Sequence, residues 1–335
     1  MMCPMEGRHD PRHRTSHLDP MAGRHRGPGR RASARKEGVT LREEIVVIGA
    51  GPAGVAAAVQ LRRYGHDPLL FERAEPGGLV RTAWRVDNYP GFPEGIDGPE
   101  LAGRIAAALE RWDVRLLREE VQLVDLAGER GPIVLTAGDH DVEAGVVVLA
   151  TGTVPVPFSC PGLDDIPPER VHRDILRLRG LRGATVAIVG AGDAALDHAM
   201  ALSEGNRVIV LDRSGLGRAI AALREAARGR GTVEIMGPAV VRECRWEGDR
   251  AILLTGGAYP AEFAADHIVI AVGRRPATDL LGPRLLACRE GLEDKGLLYM
   301  VGDVARGHHR QTAIAAGDGL LAAMRVHERS IGGEG

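Results

Sequence analysis

The amino-acid sequence predicts an α/β protein made of two doubly wound domains, with the second domain inserted into the first. Two observations predict this fold. A glycine-rich turn follows an apolar run at two places in the 335-residue chain, and an acidic residue closes the next apolar run in both places. The order of predicted strands and helices after the first turn is repeated after the second, as expected for two related domains. Each unit is therefore predicted to be a Rossmann-like dinucleotide-binding domain with three layers, two of β-strands and one of α-helices.

The first glycine turn predicts a nucleotide site in the first domain. It follows the apolar run 45–48 and precedes a predicted helix at 53–64. In this pattern the glycines let a pyrophosphate approach the N-terminus of the helix, and the acid accepts hydrogen bonds from a ribose. The combination of strand, turn, helix and acid favours a dinucleotide site over an ordinary tight turn. The predicted site residues are Gly49, Gly51, Pro52, Ala53, Gly54, Glu72 and Arg73.

The second glycine turn predicts a nicotinamide coenzyme site, with alanine at the third glycine position, which the pattern tolerates. The acid, Asp212, suits a ribose with two free hydroxyls and repels a 2′-phosphate, so NADH is expected. Arg213 and Arg218 follow it and could bind that phosphate, so NADPH stays open. A duplicated domain that has lost its ligand is the alternative. The predicted residues are Gly190, Gly192, Asp193, Ala194, Ala195, Asp212, Arg213 and Arg218.

Two proline-bearing segments, at 154–157 and 274–276, mark predicted passages between the domains. Apolar strand-like runs end beside them in Gly152 and Gly273, and both glycines are predicted to contact a cofactor. These passages place the second unit inside the first. The predicted limits are 41–153 with 275–335 for the first domain and 158–272 for the second.

Composition disfavours several classes of function. The formal charge is −2 and aromatic residues make up 3% of the chain, which gives little basis for nucleic-acid binding. No apolar run is long enough to cross a bilayer. The cysteines match neither a dithiol motif nor a metal-ligand pattern, so no metal and a reducing cytoplasm are expected. They are Cys3, Cys160, Cys244 and Cys288.

Residues 1–40 differ from the rest of the chain. They are rich in Arg, His, Pro and Gly and lack apolar periodicity. A disordered arm is expected there, or a stretch upstream of the real start. An organelle-targeting or nucleic-acid-binding arm is the alternative.

Further motifs resemble those of low-molecular-weight thioredoxin reductases, over about 44–324. Gly77-Gly78-Leu79 with 86–96 is similar to the flavin-contacting stretch of that family, and Gly302-Asp303-Val304 with 310–319 is similar to its C-terminal flavin-binding segment. The resemblance implies FAD as cofactor, a homodimer, and domains that swing about the two passages.

The resemblance also implies roles for individual residues. Asp303 would bond the ribitol chain of FAD, and Arg310 and Gln311 would lie along the isoalloxazine, which the N-terminus of the following helix would face. Asn88 would contact the ring, with an ordinary turn as the alternative. The residues assigned in this way are Gly77, Gly78, Leu79, Asn88, Gly302, Asp303, Arg310, Gln311 and Thr312.

The departures from that family bear on function. Thioredoxin reductases carry a Cys-x-x-Cys pair shortly before the nicotinamide turn, whereas residues 171–180 contain no cysteine. The usual dithiol relay is therefore not expected. Thioredoxin-reductase-like ferredoxin/flavodoxin NADP reductases also lack the pair, but Leu79 replaces their usual Gln and no long C-terminal extension is recognised. Bacillithiol-disulfide reductases carry a Cys in the first glycine turn, where this chain has Ala53.

The expected activity is hydride transfer from NAD(P)H to FAD, followed by direct electron transfer to an acceptor, with no side-chain nucleophile. A small acidic redox protein such as ferredoxin or flavodoxin is the expected acceptor. The alternatives are a small acceptor (a quinone, oxygen or a disulfide) and a redox sensor without turnover.

For three further groups of residues, a role without chemistry is the favoured interpretation. Cys160 is expected to be inert, with approach to the flavin after a domain rotation as the alternative. His308-His309 is expected to lie in a loop without a catalytic role, with proton transfer at the flavin edge as the alternative. The arginines are expected to form a solvated face, with docking of an acidic protein as the alternative. They are Arg173, Arg177, Arg179 and Arg182.

Overall fold

The computed structural model describes residues 40–129, 131–257 and 261–332. Residues 1–39, which make up all but the last residue of the expected arm, lie outside the described residues, and Thr40 begins strand β1. The first domain starts with β1 (Thr40–Ile48), α1 (Pro52–Arg63), β2 (Leu69–Phe71), β3 (Arg85–Val86), β4 (Ile96–Asp97), α2 (Gly98–Arg111), β5 (Arg115–Leu117), β6 (Val121–Leu126), β7 (Ile133–Ala137), β8 (His140–Leu149) and β9 (Thr153–Pro155).

The second domain follows, and the chain then returns to the first. The inserted elements are β10 (Val171–His172), β11 (Thr185–Val189), α3 (Asp193–Leu202), β12 (Arg207–Leu211), α4 (Ala221–Arg228), β13 (Val233–Met236), β14 (Ala239–Glu247), β15 (Arg250–Gly257), β16 (Ala261–Ala265) and β17 (His267–Ile270). The returning elements are β18 (Arg274–Pro276), α5 (Pro283–Asp294), β19 (Leu298–Met300) and α6 (Thr312–Gly332).

Both domains have a parallel sheet between a helical layer and an antiparallel β layer. In the first domain the order is β5-β2-β1-β8, with β19 parallel to β8 and β6-β7 extending antiparallel from it. In the second, the parallel order is β10-β17-β11-β12-β13, and β14-β15-β16 form the separate antiparallel layer. The predicted fold, two Rossmann-like domains with one inserted into the other, is therefore confirmed.

Apolar residues fill the spaces on both faces of each parallel sheet. Val47 and Leu70 face α1 and α6 in one cluster, while Val46 and Leu69 face the β layer and α5 in another. Alternate residues of β1 and β2 thus enter opposite clusters, as the two-residue period of a strand requires. The second domain has the same pair of clusters around β11 and β12.

The two passages between the domains lie side by side. β9 and β18 pair antiparallel, with Thr153 opposite Pro276 and Pro155 opposite Arg274. Among the described residues, no helix is long and apolar enough to cross a membrane.

Candidate functional site

The carboxyl ends of the first parallel sheet form one edge, where the predicted nucleotide residues meet. Ile48 pairs with both Phe71 and Leu149, so Gly49 and Glu72 emerge from neighbouring strands. Glu72 reaches back over the glycine turn, and its Oε2 accepts a hydrogen bond of 2.7 Å from the backbone N–H of Ala50. The acid therefore borders the turn, as a ribose-binding carboxylate of this fold does.

Two glycines of the turn are required by close contacts within the protein. Gly49 has φ +99°, and a Cβ there would lie 2.5 Å from the carbonyl oxygen of Ala150. A Cβ on Gly54 would overlap the carbonyl oxygen of Gly49. Gly51 differs, because no protein atom lies within 4 Å of the Cβ position and its φ is −72°. The space beside Gly51 is therefore open at the N-terminus of α1.

A cavity of about 1030 Å³ opens at this edge of the sheet. Its walls include predicted residues from both the N-terminal and C-terminal parts of the first domain, which the inserted second domain separates in sequence. Those that line it are Gly49, Gly51, Pro52, Ala53, Glu72, Arg73, Gly78, Leu79, Gly152, Asp303, Arg310, Gln311 and Thr312.

The remaining predicted residues of this set lie outside the lining but contact it. The backbone N–H of Gly77 donates to the carbonyl oxygen of Ala50 over 2.8 Å. Asn88 Nδ2 donates to Gln311 Oε1 over 2.8 Å, which joins two residues 223 positions apart. Gly302, with φ +71°, lies against Ala53.

Two arginines and an aspartate, all partly buried, contribute charge to the cavity. Burial raises the pKa of Asp303, against the opposing effect of Arg310 and Arg274. Arg310 donates from Nη1 to the carbonyl oxygen of Arg274 over 3.0 Å, while its buried Nε has no hydrogen-bond partner among the described residues. Arg274 is held in turn by Thr153, whose Oγ1 is 2.9 Å from its Nε. The open space at Gly51 and the unpartnered donor of Arg310 fit an anionic dinucleotide such as FAD.

Arg274 was not predicted from the sequence to be a site residue. Its segment was recognised only as a passage between domains, because the Arg-Arg-Pro pattern carries no cofactor motif. The pairing of β9 with β18 turns the side chain towards Thr153 at the cavity wall. That contact spans 121 positions of sequence, and no local signal could have indicated it.

The second glycine turn has the same placement in its own sheet. Gly190 has φ +121° and donates its N–H to the carbonyl oxygen of Leu211 over 3.0 Å. Asp193 Oδ1 accepts from the backbone N–H of Ile220 over 2.8 Å, so it ties α3 to the segment before α4. The neighbouring predicted residues are Gly192, Ala194 and Ala195, and Gly273 lies in the passage beside Val156.

Asp212 follows β12 at this edge, and the loop after it holds its carboxylate. Oδ1 accepts from the N–H and hydroxyl of Ser214, both over 2.9 Å, and Oδ2 accepts from the N–H of Gly217 over 2.9 Å. Burial raises the pKa of Asp212, but these hydrogen bonds outweigh it, so that its pKa lies below the ordinary value. The side chain is therefore a fixed negative charge that also shapes the loop carrying the exposed Arg213 and Arg218.

The two predicted sites do not share a cavity in this domain arrangement. Among the described residues, those of the second glycine turn and the loop after β12 do not line the large cavity, whereas Asp174 and Leu176 do. Asp174 and Leu176 belong to the cysteine-free segment that precedes β11.

Hydrogen bonds between the domains hold this arrangement. Asp197 Oδ2 on α3 accepts from the backbone N–H of Trp84 over 2.8 Å. Arg179 Nη2 donates to the carbonyl oxygens of Arg81 and Ala83, both over 3.0 Å. Burial raises the pKa of Asp197 to about 6, although the N–H groups of Trp84 and Arg85 act in the opposite direction. Arg179 thus contacts the first domain, although its side chain is exposed.

Other candidates lie away from the cavity. His308 and His309 are exposed and do not line it. No group of three or more His, Cys, Asp or Glu side chains could hold a metal ion within the described ranges. Cys160, expected to be inert, lies against Cys244 with 3.4 Å between their sulfurs.

Comparison with known proteins decides the family. The family described as "Pyridine nucleotide-disulphide oxidoreductase" matches residues 43–319. The chain belongs to this family. It is 29% identical over 310 residues to "Thioredoxin reductase 1, mitochondrial" of Arabidopsis thaliana, covering 84% of this chain and 82% of the relative. It is 28% identical over 321 residues to the thioredoxin reductase of Chlamydia pneumoniae, covering 87% of this chain and all of the relative.

The same family is found among solved structures. The thioredoxin reductase of T. acidophilum is 25% identical, with a TM-score of 0.73 and coverage of 87% of this chain and 99% of that one. The resemblance to thioredoxin reductases is thus confirmed. This pyridine nucleotide-disulphide oxidoreductase family member is a flavin-dependent oxidoreductase of a family that uses FAD and NAD(P)H.

Proposed function

We propose that the protein takes electrons from a reduced nicotinamide at its FAD site and passes them directly to an acceptor, a small acidic redox protein such as ferredoxin or flavodoxin. FAD, when bound, supplies the ability to accept a hydride and release electrons to a partner. The main support for this proposal is that Asp174 and Leu176 form part of the cavity wall. Both belong to the segment 171–180, which contains no cysteine. A dithiol relay has no sulfur there, so the acceptor itself must reach the cavity.

The residues of the cavity have separate proposed tasks. Glu72 would hold the adenosine ribose and Asp303 the ribitol chain, while Arg310 and the N-terminus of α6 would favour negative charge on the isoalloxazine. The link between Asn88 and Gln311 would hold both side chains at the ring. We propose NADH as the preferred coenzyme because Asp212 remains ionised at the end of β12.

The proposed docking surface for the acidic partner lies beside the wall formed by Asp174 and Leu176. Arg173 and Arg177 are exposed there and present two positive charges close to the cavity. Opposite charges at such a rim speed association and make it sensitive to salt. A second candidate function is reduction of a small neutral acceptor. It is favoured because carboxylates also line the cavity and would repel an acidic partner, among them Glu119, Glu120 and Asp279.

An anaerobic titration followed by turnover assays tests this function. The purified protein should be yellow, be reduced by NADH more readily than by NADPH, and reduce ferredoxin or flavodoxin. Raising the ionic strength from about 20 to 300 mM should slow that turnover at least about fivefold, because screening weakens the encounter. The rate of reduction by NADH serves as the control and should change less than about twofold.

Other outcomes contradict this assignment in distinguishable ways. Salt-insensitive turnover with a quinone, and none with ferredoxin or flavodoxin, would establish the small-acceptor function. Reduction without turnover on any acceptor would indicate a redox sensor. A colourless protein that takes up no FAD would refute the flavin site itself.

We propose that the second domain rotates about the paired passages β9 and β18 to bring the nicotinamide to the flavin. The contact of Asp197 with Trp84 must then break, which exposes the carboxylate and returns its pKa towards the ordinary value. Because the pKa is about 6 in the present arrangement, protonation favours this arrangement, and the effect is lost as the pH rises through 6. Asp87 and Arg179 act electrostatically on the carboxylate, and His198 lies beside it with 3.9 Å between Nδ1 and Oδ2.

Flavin reduction by NADH should therefore become on the order of tenfold faster between pH 5 and pH 8. Asp197→Asn keeps an acceptor for the N–H of Trp84 without the charge, so its reduction rate should be low and nearly independent of pH. Arg179→Met, a matched change at the same contact, should raise the rate while retaining the pH dependence. Stopped-flow absorbance measures all three proteins, and an Asn variant with the wild-type pH profile would contradict the assignment.

We propose a homodimer formed through α6. Its apolar residues recur at helical spacing on an exposed face, an arrangement that marks association surfaces. These residues are Ile314, Leu320, Leu321, Met324 and Ile331.

A further inference from the structure

Two thiols that are 84 positions apart in sequence lie against each other in the second domain. The Sγ atoms of Cys160 and Cys244 are 3.4 Å apart, and both cysteines are free thiols. Cys160 is partly exposed in the segment after β9, and Cys244 is buried in β14. A disulfide requires a separation of about 2.05 Å, so an approach of about 1.4 Å would join them.

The backbone holds these two segments together independently of the sulfurs. The N–H of Cys244 donates to the carbonyl oxygen of Pro161 over 2.8 Å. A Cβ on Gly162 would overlap the carbonyl oxygen of Cys244, so the two main chains touch. Leu163 and Ile166 pack with Cys244 in the core between the sheet and the β14–β16 layer. The proximity of the thiols is therefore built into the packing of the domain.

We propose that Cys160 and Cys244 are a redox modification site, which forms an intramolecular disulfide with a two-electron oxidant of the peroxide class. The thiolate of Cys160, the more exposed of the two, attacks one oxygen of hydrogen peroxide, breaks the O–O bond and becomes a sulfenic acid as one water is released. The sulfur of Cys244 then attacks that sulfur and expels the second oxygen as water. Two thiols and one peroxide give one disulfide and two waters, with two electrons passing from sulfur to oxygen.

The surroundings of the pair set its rate. Burial raises the pKa of Cys160, to which the charge of Asp164 adds, while the hydrogen bond with Cys244 lowers it. Burial, the hydrogen bond with Cys160 and the charge of Glu243 raise the pKa of Cys244 to about 12. Because the thiolate is the nucleophile, the reaction should be slow at neutral pH and accelerate as the pH rises from about 7 to 9.

The disulfide should also stabilise the domain. It closes a loop of more than 80 residues, and the restriction of so long a loop in the unfolded chain should raise the Tm by about 5 °C. The modification needs neither cofactor, so it stands apart from the proposed function.

Thiol counting on the full-length protein tests the proposal. The protein is treated with hydrogen peroxide at pH 7, 8 and 9, denatured and labelled with a maleimide, and its mass is measured by mass spectrometry. The untreated, reduced protein should carry a label on each of its four cysteines. Treatment should remove two labels, give a linked peptide pair containing Cys160 and Cys244, and raise the Tm. Cys160→Ser and Cys244→Ser should abolish the label loss and the Tm rise, while Cys288→Ser, a change at an exposed cysteine, should retain both.

Retention of all four labels at pH 9, sulfinic acid on Cys160 without a crosslink, or linkage of Cys160 to another cysteine would overturn the proposal. Peptide mapping of the wild-type protein decides among these outcomes even where a serine variant fails to fold.

Discussion

Replacement of Gly51 by alanine should leave the protein folded while weakening FAD binding about 100-fold, which is about 2.7 kcal/mol. Apart from the adjoining residues of the chain, no protein atom lies within 4 Å of the added methyl, and the φ of −72° suits alanine. The methyl would instead occupy the cavity at the N-terminus of α1, where the pyrophosphate of a dinucleotide approaches the backbone. Titration of the apoprotein with FAD measures the affinity, and the Tm without FAD should stay within about 2 °C of wild type.

Two other glycines provide the controls for this prediction. Gly54→Ala should lose both flavin and fold, because its Cβ would overlap the carbonyl oxygen of Gly49. Gly103→Ala, at an exposed position on α2 with nothing within 4 Å of the Cβ, should bind FAD like wild type. Unchanged FAD affinity in Gly51→Ala would remove this turn from the flavin site.

Asp212→Ala should shift the ratio of kcat/KM for NADH to that for NADPH about tenfold towards NADPH, which corresponds to about 1.4 kcal/mol. The hydrogen bonds from Gly217 and Ser214 keep the carboxylate ionised at the end of β12, where we propose that a 2′-phosphate would approach it. Once that charge is removed, Arg213 and Arg218 would attract the phosphate without opposition. Steady-state kinetics with a saturating acceptor measure the ratio.

Ser214→Ala is the matched control for the loop. It removes the hydroxyl donor to Asp212 Oδ1 but leaves the backbone donor and the carboxylate in place. The coenzyme ratio of this variant should stay at the wild-type value. An equal shift in both variants would assign the effect to the shape of the loop, and an unchanged ratio in Asp212→Ala would exclude the carboxylate from coenzyme selection.

The sequence predicted the fold because local patterns specify Rossmann units. An apolar run, a glycine turn and an acid are all set by neighbours in sequence, and strand register then brings Gly49 and Glu72 to one edge. Element limits were less well predicted. Apolar runs at 239–244 and 251–254 predict two short strands, whereas β14 and β15 run on to Glu247 and Gly257. α5 was not predicted because it has one fully buried residue, Leu285, and thus no clear apolar stripe.

Contacts between distant segments could not be predicted. The hydrogen bond between Trp84 and Asp197 spans 113 positions, and neither residue lies in a motif that would indicate a partner. The approach of Cys160 to Cys244 likewise depends on how one segment packs on a strand of another layer. For Asp212, position at the strand end was predictable, but the direction of the side chain depended on the loop that follows.

The pairing of Thr153 with Pro276 has a consequence for how such a protein can arise. The chain leaves the first domain and returns to it at adjacent points. A short hairpin could therefore replace the whole second domain without stretching the flanking chain. A single insertion at one turn of the first domain would suffice to add the second domain. Each domain could then change in sequence independently, as long as the paired strands β9 and β18 kept their geometry.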